Sequence, residues 1–152
     1  MKKNNSGFSL VELIIVIAIM AVLIGVLAPQ FIKYVESSRE STDLQNIAEV
    51  KTAIEAYIAD SESSSATTVS VKLANTPGTA ITITGPAAAD LAEYGVVAAD
   101  IKTKAKDWSG AIEWEYKDYK WTNKSATVTG AAYNSDGSKK GSTPSTPSGG
   151  DG

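Results

Sequence analysis

Residues 7–29 read GFSLVELIIVIAIMAVLIGVLAP, an apolar run that contains a single carboxylate, Glu12, near its start. From residue 13 to residue 28 there is no charged or strongly polar side chain. Extended back to Phe8, the run is about 21 residues and about 30 Å of helix, which matches the hydrocarbon thickness of a bilayer. A segment of this kind has two stable surroundings, lipid or other apolar helices. Lys2 and Lys3 precede it, and positive charge on that flank predicts a cytoplasmic N-terminal end with the rest of the chain sent outward.

Two ordinary readings compete for such a run. A secretory signal peptide would be cut near Val26-Leu27-Ala28, but the run exceeds the usual h-region of ~7 to 15 residues. Pro29 would also follow the cut, and it fixes the backbone and has no N–H. An uncleaved anchor accounts for the length and leaves Glu12 unexplained, because an unpaired carboxylate inside a span costs roughly 2.5 to 3.5 kcal/mol on insertion scales, less near the interface. Glu12 therefore calls for a partner.

Gly7-Phe8-Ser9-Leu10-Val11-Glu12, after a short lysine-containing leader and before the apolar run, resembles the class III signal of type IV pilins and the related pseudopilins. The resemblance implies that prepilin peptidase cuts after Gly7 and that the new N-terminal amine of Phe8 is methylated. Removal of residues 1–7 takes Lys+Arg from 14 to 12 against 17 Asp+Glu, so the formal charge moves from −3 to −5. The Phe8 ammonium and Glu12 are then four residues, roughly 6 Å of helix, apart. In a staggered stack of identical helices the ammonium of one copy reaches Glu12 of the next, and this pair sets the register. The family also implies its partners: further copies of this chain in a helical homopolymer, prepilin peptidase, an assembly platform protein and ATPase, and the cytoplasmic membrane before assembly. Nucleic acid is left open. The expected location is a single-pass precursor with its head outside, then a surface filament. The chain has no cysteine, so the pair that closes a C-terminal loop in many Gram-negative pilins is absent, and a cysteine-free, Gram-positive-type major pilin is the better match. A pseudopilin of a secretion or competence system shares the motif, and a single-span anchored binding protein that never polymerises is a third reading.

Gly25 and Pro29 are four apart, so the missing proline N–H falls opposite the glycine carbonyl and the helix is weakened at one place. Two meanings are open, a gentle kink or the segment that loses helicity in assembled type IV pilins. Beyond Pro29, Phe31, Val35, Leu44, Ile47, Val50, Ile54, Tyr57 and Ile58 recur at three and four, with Glu36, Arg39, Glu40, Asp43, Glu49, Lys51 and Glu55 mainly between them. This predicts an amphipathic continuation of one spine helix to about Asp60, with Arg39–Asp43 and Lys51–Glu55 as exposed pairs.

The remainder predicts a small antiparallel sheet. Residues 69–73 and 81–84 alternate at period two around Pro77-Gly78, and residues 111–116 alternate with Ile112, Trp114 and Tyr116 on one face. Tyr119 with Trp121, and Ala126 with Val128, suggest further strands. Residues 86–94 read as a short helix stopped by Gly95, with Leu91 and Tyr94 buried. The fold class is α+β and pilin-like: leader 1–7, membrane or filament-core helix 8–28, amphipathic spine 29–60, sheet-bearing head 61–133, and a disordered Ser/Gly/Pro-rich tail 134–152. Without histidine or cysteine a Ser-His-Asp or Cys-His site is excluded, and no enzyme activity, cofactor or metal is expected. In the head, Trp108, Trp114, Tyr116, Tyr119 and Trp121 are read as sheet core before a stacking platform. Lys102, Lys104 and Lys106 are read as a solvated run, and the Asn123-Lys124-Ser125 sequon as a chance triplet.

Overall fold

The computed structural model describes residues 9–61, 68–85, 90–125 and 130. Helix α1 (Leu10–Asp60) is followed by β1 (Val69–Leu73), β2 (Thr82–Thr84), a 3-10 helix (Leu91–Tyr94), β3 (Ile112–Lys117) and β4 (Lys120–Asn123). The chain divides into two units, residues 1–35 and 36–152.

In the first unit α1 is unbroken through Pro29. From Leu10 to Tyr34 its large apolar side chains are exposed, from Val16 at 48% to Leu10 at 73%. No side chain of this unit can cover the apolar surface of a single helix, so the helix is complete as secondary structure and incomplete as a packed object.

The second unit is built on one face of α1. Residues 36, 40, 43, 47, 50, 54 and 58 step by three and four and are all buried, which is the spacing of one helical stripe. Ile47, Val50, Ile54 and Ile58 form its aliphatic half. They pack with Val69, Val71 and Leu73 of β1 and with Ile112, Trp114 and Tyr116 of β3. The sheet is antiparallel throughout, in the order β2-β1-β3-β4. Val71 lies opposite Trp114 and Leu73 opposite Ile112. With a side-chain period of two, that register sends every apolar residue of both central strands to the helix and leaves Ser70, Lys72, Glu113 and Glu115 on the other face. At the start of β1 the backbone of Thr68 and Val69 closes on Gly85, where a Cβ would stand 2.7 Å from the Thr68 carbonyl oxygen.

Several expectations are refined. The spine ends at Asp60 as the pattern indicates, and the hairpin of β1 with β2 forms with Ser70 opposite Thr84. Only Leu91–Tyr94 of the short-helix segment is helical, and its Gly95 takes φ 80° with its N–H on the Ala92 and Leu91 carbonyls. Leu91 is buried, whereas Tyr94 is half-buried because its hydroxyl donates to Asp60 Oδ2 at 2.8 Å in solvent. Residues 86–89, the strand expected at Ala126–Val128 and the tail 134–152 lie outside the described residues.

Strands β3 and β4 join through a two-residue turn, Asp118-Tyr119, with φ 51° and 59°. Both central positions of such a turn require positive φ. Aspartate tolerates it, but a tyrosine held there is strained by roughly 1 to 2 kcal/mol, and its ring is 69% exposed. Tyr119→Gly is therefore expected to raise stability by about 1 kcal/mol, read as the urea midpoint of the detergent-solubilised chain. A lowered midpoint would mean that the ring contributes more by contact than the backbone loses by strain. Ile54→Ala, in the fully buried stripe, is expected to cost about 2 to 5 kcal/mol in the same measurement.

Candidate functional site

Glu12 lies in the first turn of α1 and is exposed. Its Oε2 accepts the Ser9 backbone N–H at 3.0 Å, and Leu13 N–H donates to the Ser9 carbonyl at 3.3 Å. Ser9-Leu10-Val11-Glu12 thus has the S-x-x-E spacing of a capping box, with the glutamate reaching back over the first turn. The spacing is present in the sequence, where the more conspicuous feature of Glu12 is its charge in an apolar run. Its consequence is chemical: a carboxylate bonded to Ser9 N–H is held one residue from the amine that cleavage after Gly7 would create. Gly7 and Phe8 lie outside the described residues. Gly25 and Pro29 are both within continuous helix, and nothing lies within 4 Å of a Cβ built on Gly25.

In the head the polar half of the buried stripe is unusual. Glu36, Glu40 and Asp43 are 6%, 0% and 1% exposed. Asp43 accepts the backbone N–H of Lys104 at 2.8 Å on Oδ1, of Ala105 at 2.9 Å on Oδ2, and the Trp108 indole N–H at 3.3 Å. Glu36 Oε1 accepts the N–H groups of Lys106 and of Asp107, the latter at 3.0 Å, while Oε2 faces Arg39 Nη1 at 3.4 Å. Gly130 lies against the Glu40 carboxylate so closely that a Cβ would stand 2.4 Å from Oε1. The carboxylates therefore take the place of a strand: they satisfy the main chain of residues 104–107, which has no ladder of its own. Glu36, Glu40 and Asp107 also bring one oxygen each within 4.8 Å of one another.

These contacts correct the expected ion pairs. Arg39 pairs with Glu36 and leaves Asp43 to the backbone amides. Lys51 stands over the rings of Trp114 and Trp121, with its Nζ 4.6 and 5.2 Å from their centroids. Burial lowers its pKa and Glu55 opposes that shift. Glu55 itself accepts the Trp121 indole N–H at 2.7 Å. The aromatic set is core: Trp108, Trp114 and Tyr116 are buried, and Trp121 packs on Tyr116 with centroids 5.1 Å apart. Only Tyr119 of the five presents an open ring. Asn123 of the sequon is half-buried, with its Oδ1 accepting Ser125 N–H at 2.8 Å. Lys102, Lys104 and Lys106 are exposed, as read from the sequence.

Residues 2–28 match the prokaryotic N-terminal methylation motif. The chain thus carries, over those residues, the N-terminal motif found in type IV prepilins. Similar proteins include prepilin peptidase-dependent protein A of Clostridium perfringens, 36% identical over 75 residues, which are 49% of this chain and 54% of that one. The type IV major fimbrial protein FimA of Dichelobacter nodosus is 37% identical over 60 residues, 40% of this chain and 38% of FimA. The type IV major pilin protein PilA of Myxococcus xanthus is 34% identical over 59 residues, 39% of this chain and 27% of PilA. The similarity thus spans about half the length of these relatives or less. No solved structure matches the chain.

Removal of the Asp43 carboxylate would strand three donors in a buried site. Asp43→Ala is expected to cost about 3 to 5 kcal/mol and Asp43→Asn, which keeps one acceptor oxygen, about half as much. The check is urea unfolding followed by tryptophan emission. Equal losses for the two variants would show that packing, not hydrogen bonding, dominates at this position.

Proposed function

We propose that the chain is the structural subunit of a type IV pilus, cut after Gly7, methylated at Phe8 and polymerised into a helical surface filament. The observation that carries this reading is the first unit of α1, a fully formed helix whose large apolar side chains from Leu10 to Tyr34 lack cover and whose single carboxylate sits in the first turn. Such a surface is stable in lipid and equally in a bundle of identical helices. Transfer between the two requires no refolding of the head.

In this reading the precursor inserts with residues 1–7 in the cytoplasm, and prepilin peptidase, the membrane, an assembly platform and its ATPase act in turn. Before assembly Glu12 is held by Ser9 N–H; in the filament it faces the Phe8 ammonium of a neighbouring copy, and the pair fixes the axial step. Gly25 and Pro29 form the soft point at which the helix yields to its neighbours. The names of the similar proteins, a prepilin peptidase-dependent protein and two major fibre subunits, favour a surface fibre over a pseudopilin.

N-terminal mass spectrometry of sheared surface material tests the scheme: long fibres whose subunits begin at methylated Phe8 are expected. Cleaved chain found only in the membrane would identify a pseudopilin, and intact Met1 a non-polymerising anchor. Glutamine at position 12 separates the two roles of Glu12, because it can cap a helix as glutamate does but carries no charge. Both Glu12→Ala and Glu12→Gln are expected to reduce sheared filament yield by at least about tenfold, the scale of leaving a buried ammonium unpaired. Normal yield from Glu12→Gln would reduce Glu12 to a capping residue.

A further inference from the structure

The segment from Asp90 to Asp107 runs antiparallel to the second half of α1. At one end Tyr94 donates to Asp60 and Tyr57 to Asp90, with the two rings edge to face at 6.0 Å. At the other end the amides of residues 104–107 are bound by Asp43 and Glu36. Asp43 and Asp60 are 17 residues apart on one helix, about 26 Å at 1.5 Å per residue. The charges sort along that length. Asp60, Asp90 and Glu93 are exposed at the first end. Lys102, Lys104 and Lys106 are exposed at the other, and Thr103 and Ala105 between them are buried. That alternation is of extended chain, so the three lysines leave on one side about 7 Å apart.

Among the described residues none of these six has an ion-pair partner; the pairs present are Arg39–Glu36 and Lys124–Glu115. Within one copy the lysines and the carboxylate cluster are too far apart to meet. Asp107 is exposed at the end of the strip, with its carboxylate within 4.8 Å of those of Glu36 and Glu40, and it forms no ion pair with the lysines. Nor is the strip loose: its backbone is bound by two buried carboxylates at residues 104–107 and bridged to Thr79 and Ala80 at residues 102 and 103, so little order remains to be lost on binding.

We infer that the strip Lys102, Lys104 and Lys106 docks on the cluster Asp60, Asp90 and Glu93 of a second copy of this chain. The inference rests on the filament reading above, in which every copy has the same axial polarity. A contact between two different patches then repeats without closing, the rule for an open helical polymer. Charge complementarity selects the occupant: the chain is acidic overall, and both halves of the contact are displayed on its own surface at opposite ends of the head.

The absence of native cysteine makes a cross-linking test clean. Glu93→Cys and Lys104→Cys are placed together in the full-length chain, and filaments are treated with a bis-maleimide whose arm spans a lysine plus a glutamate side chain, too short to join the two positions within one copy. A ladder of dimers and higher oligomers is expected, with at most dimers from either single variant. Monomers from normally assembled double-variant filaments would overturn the contact. Independently, the triple change of Lys102, Lys104 and Lys106 to Glu is expected to lower sheared filament yield by about tenfold through like-charge opposition. Adding Asp90→Lys and Glu93→Lys is expected to restore it, and full yield from the triple variant alone would also overturn the contact. Failure of the filament reading shows separately, as the absence of fibres from the unaltered chain.

Discussion

The head depends on a single phase relation in α1. Seven buried positions follow one another by threes and fours, and the core of the sheet packs on that stripe, with Lys51 and Glu55 beside it meeting Trp114 and Trp121. The stripe changes chemistry half-way. Its later positions are aliphatic and draw in β1 and β3 by removal of apolar area from water. Its earlier positions are carboxylates and draw in residues 104–107 by accepting main-chain N–H groups. One helix face thus holds two kinds of backbone: strands that satisfy themselves, and an irregular segment that does not.

Much of this was legible in residue order. Ile112, Trp114 and Tyr116 announce their common face by period two, and the helix ends at Asp60 where the apolar repeat stops. The carboxylates were not legible by type, because charge is normally assigned to solvent. They were legible by phase: Glu36, Glu40 and Asp43 continue the spacing of Ile47, Val50, Ile54 and Ile58 backwards. What no pattern in the sequence indicates is the donor. Lys104, Ala105 and Asp107 contribute through backbone N–H groups that every residue has, so the pairing of residue 43 with residues 104 and 105 exists only in three dimensions.

Glu12 shows a similar doubling of meaning. A glutamate three residues after a serine is a capping signal, and a carboxylate in an apolar run is a charge in need of a counter-ion. The two are compatible because they belong to different surroundings: the Ser9 amide serves while the helix is alone, and in the proposed filament the ammonium of a neighbour would be the stronger partner. A local hydrogen bond of this size keeps the side chain oriented without holding it irreversibly.

All three tryptophans of the chain lie in the second unit, and each touches the same stretch of α1: Trp108 through Asp43, Trp114 beneath the Lys51 ammonium, Trp121 through Glu55. The first unit is optically silent by comparison. Ultraviolet emission from this molecule is consequently a gauge of how firmly the sheet is seated on its helix, blind to whether the apolar half is surrounded by detergent, lipid or its own kind.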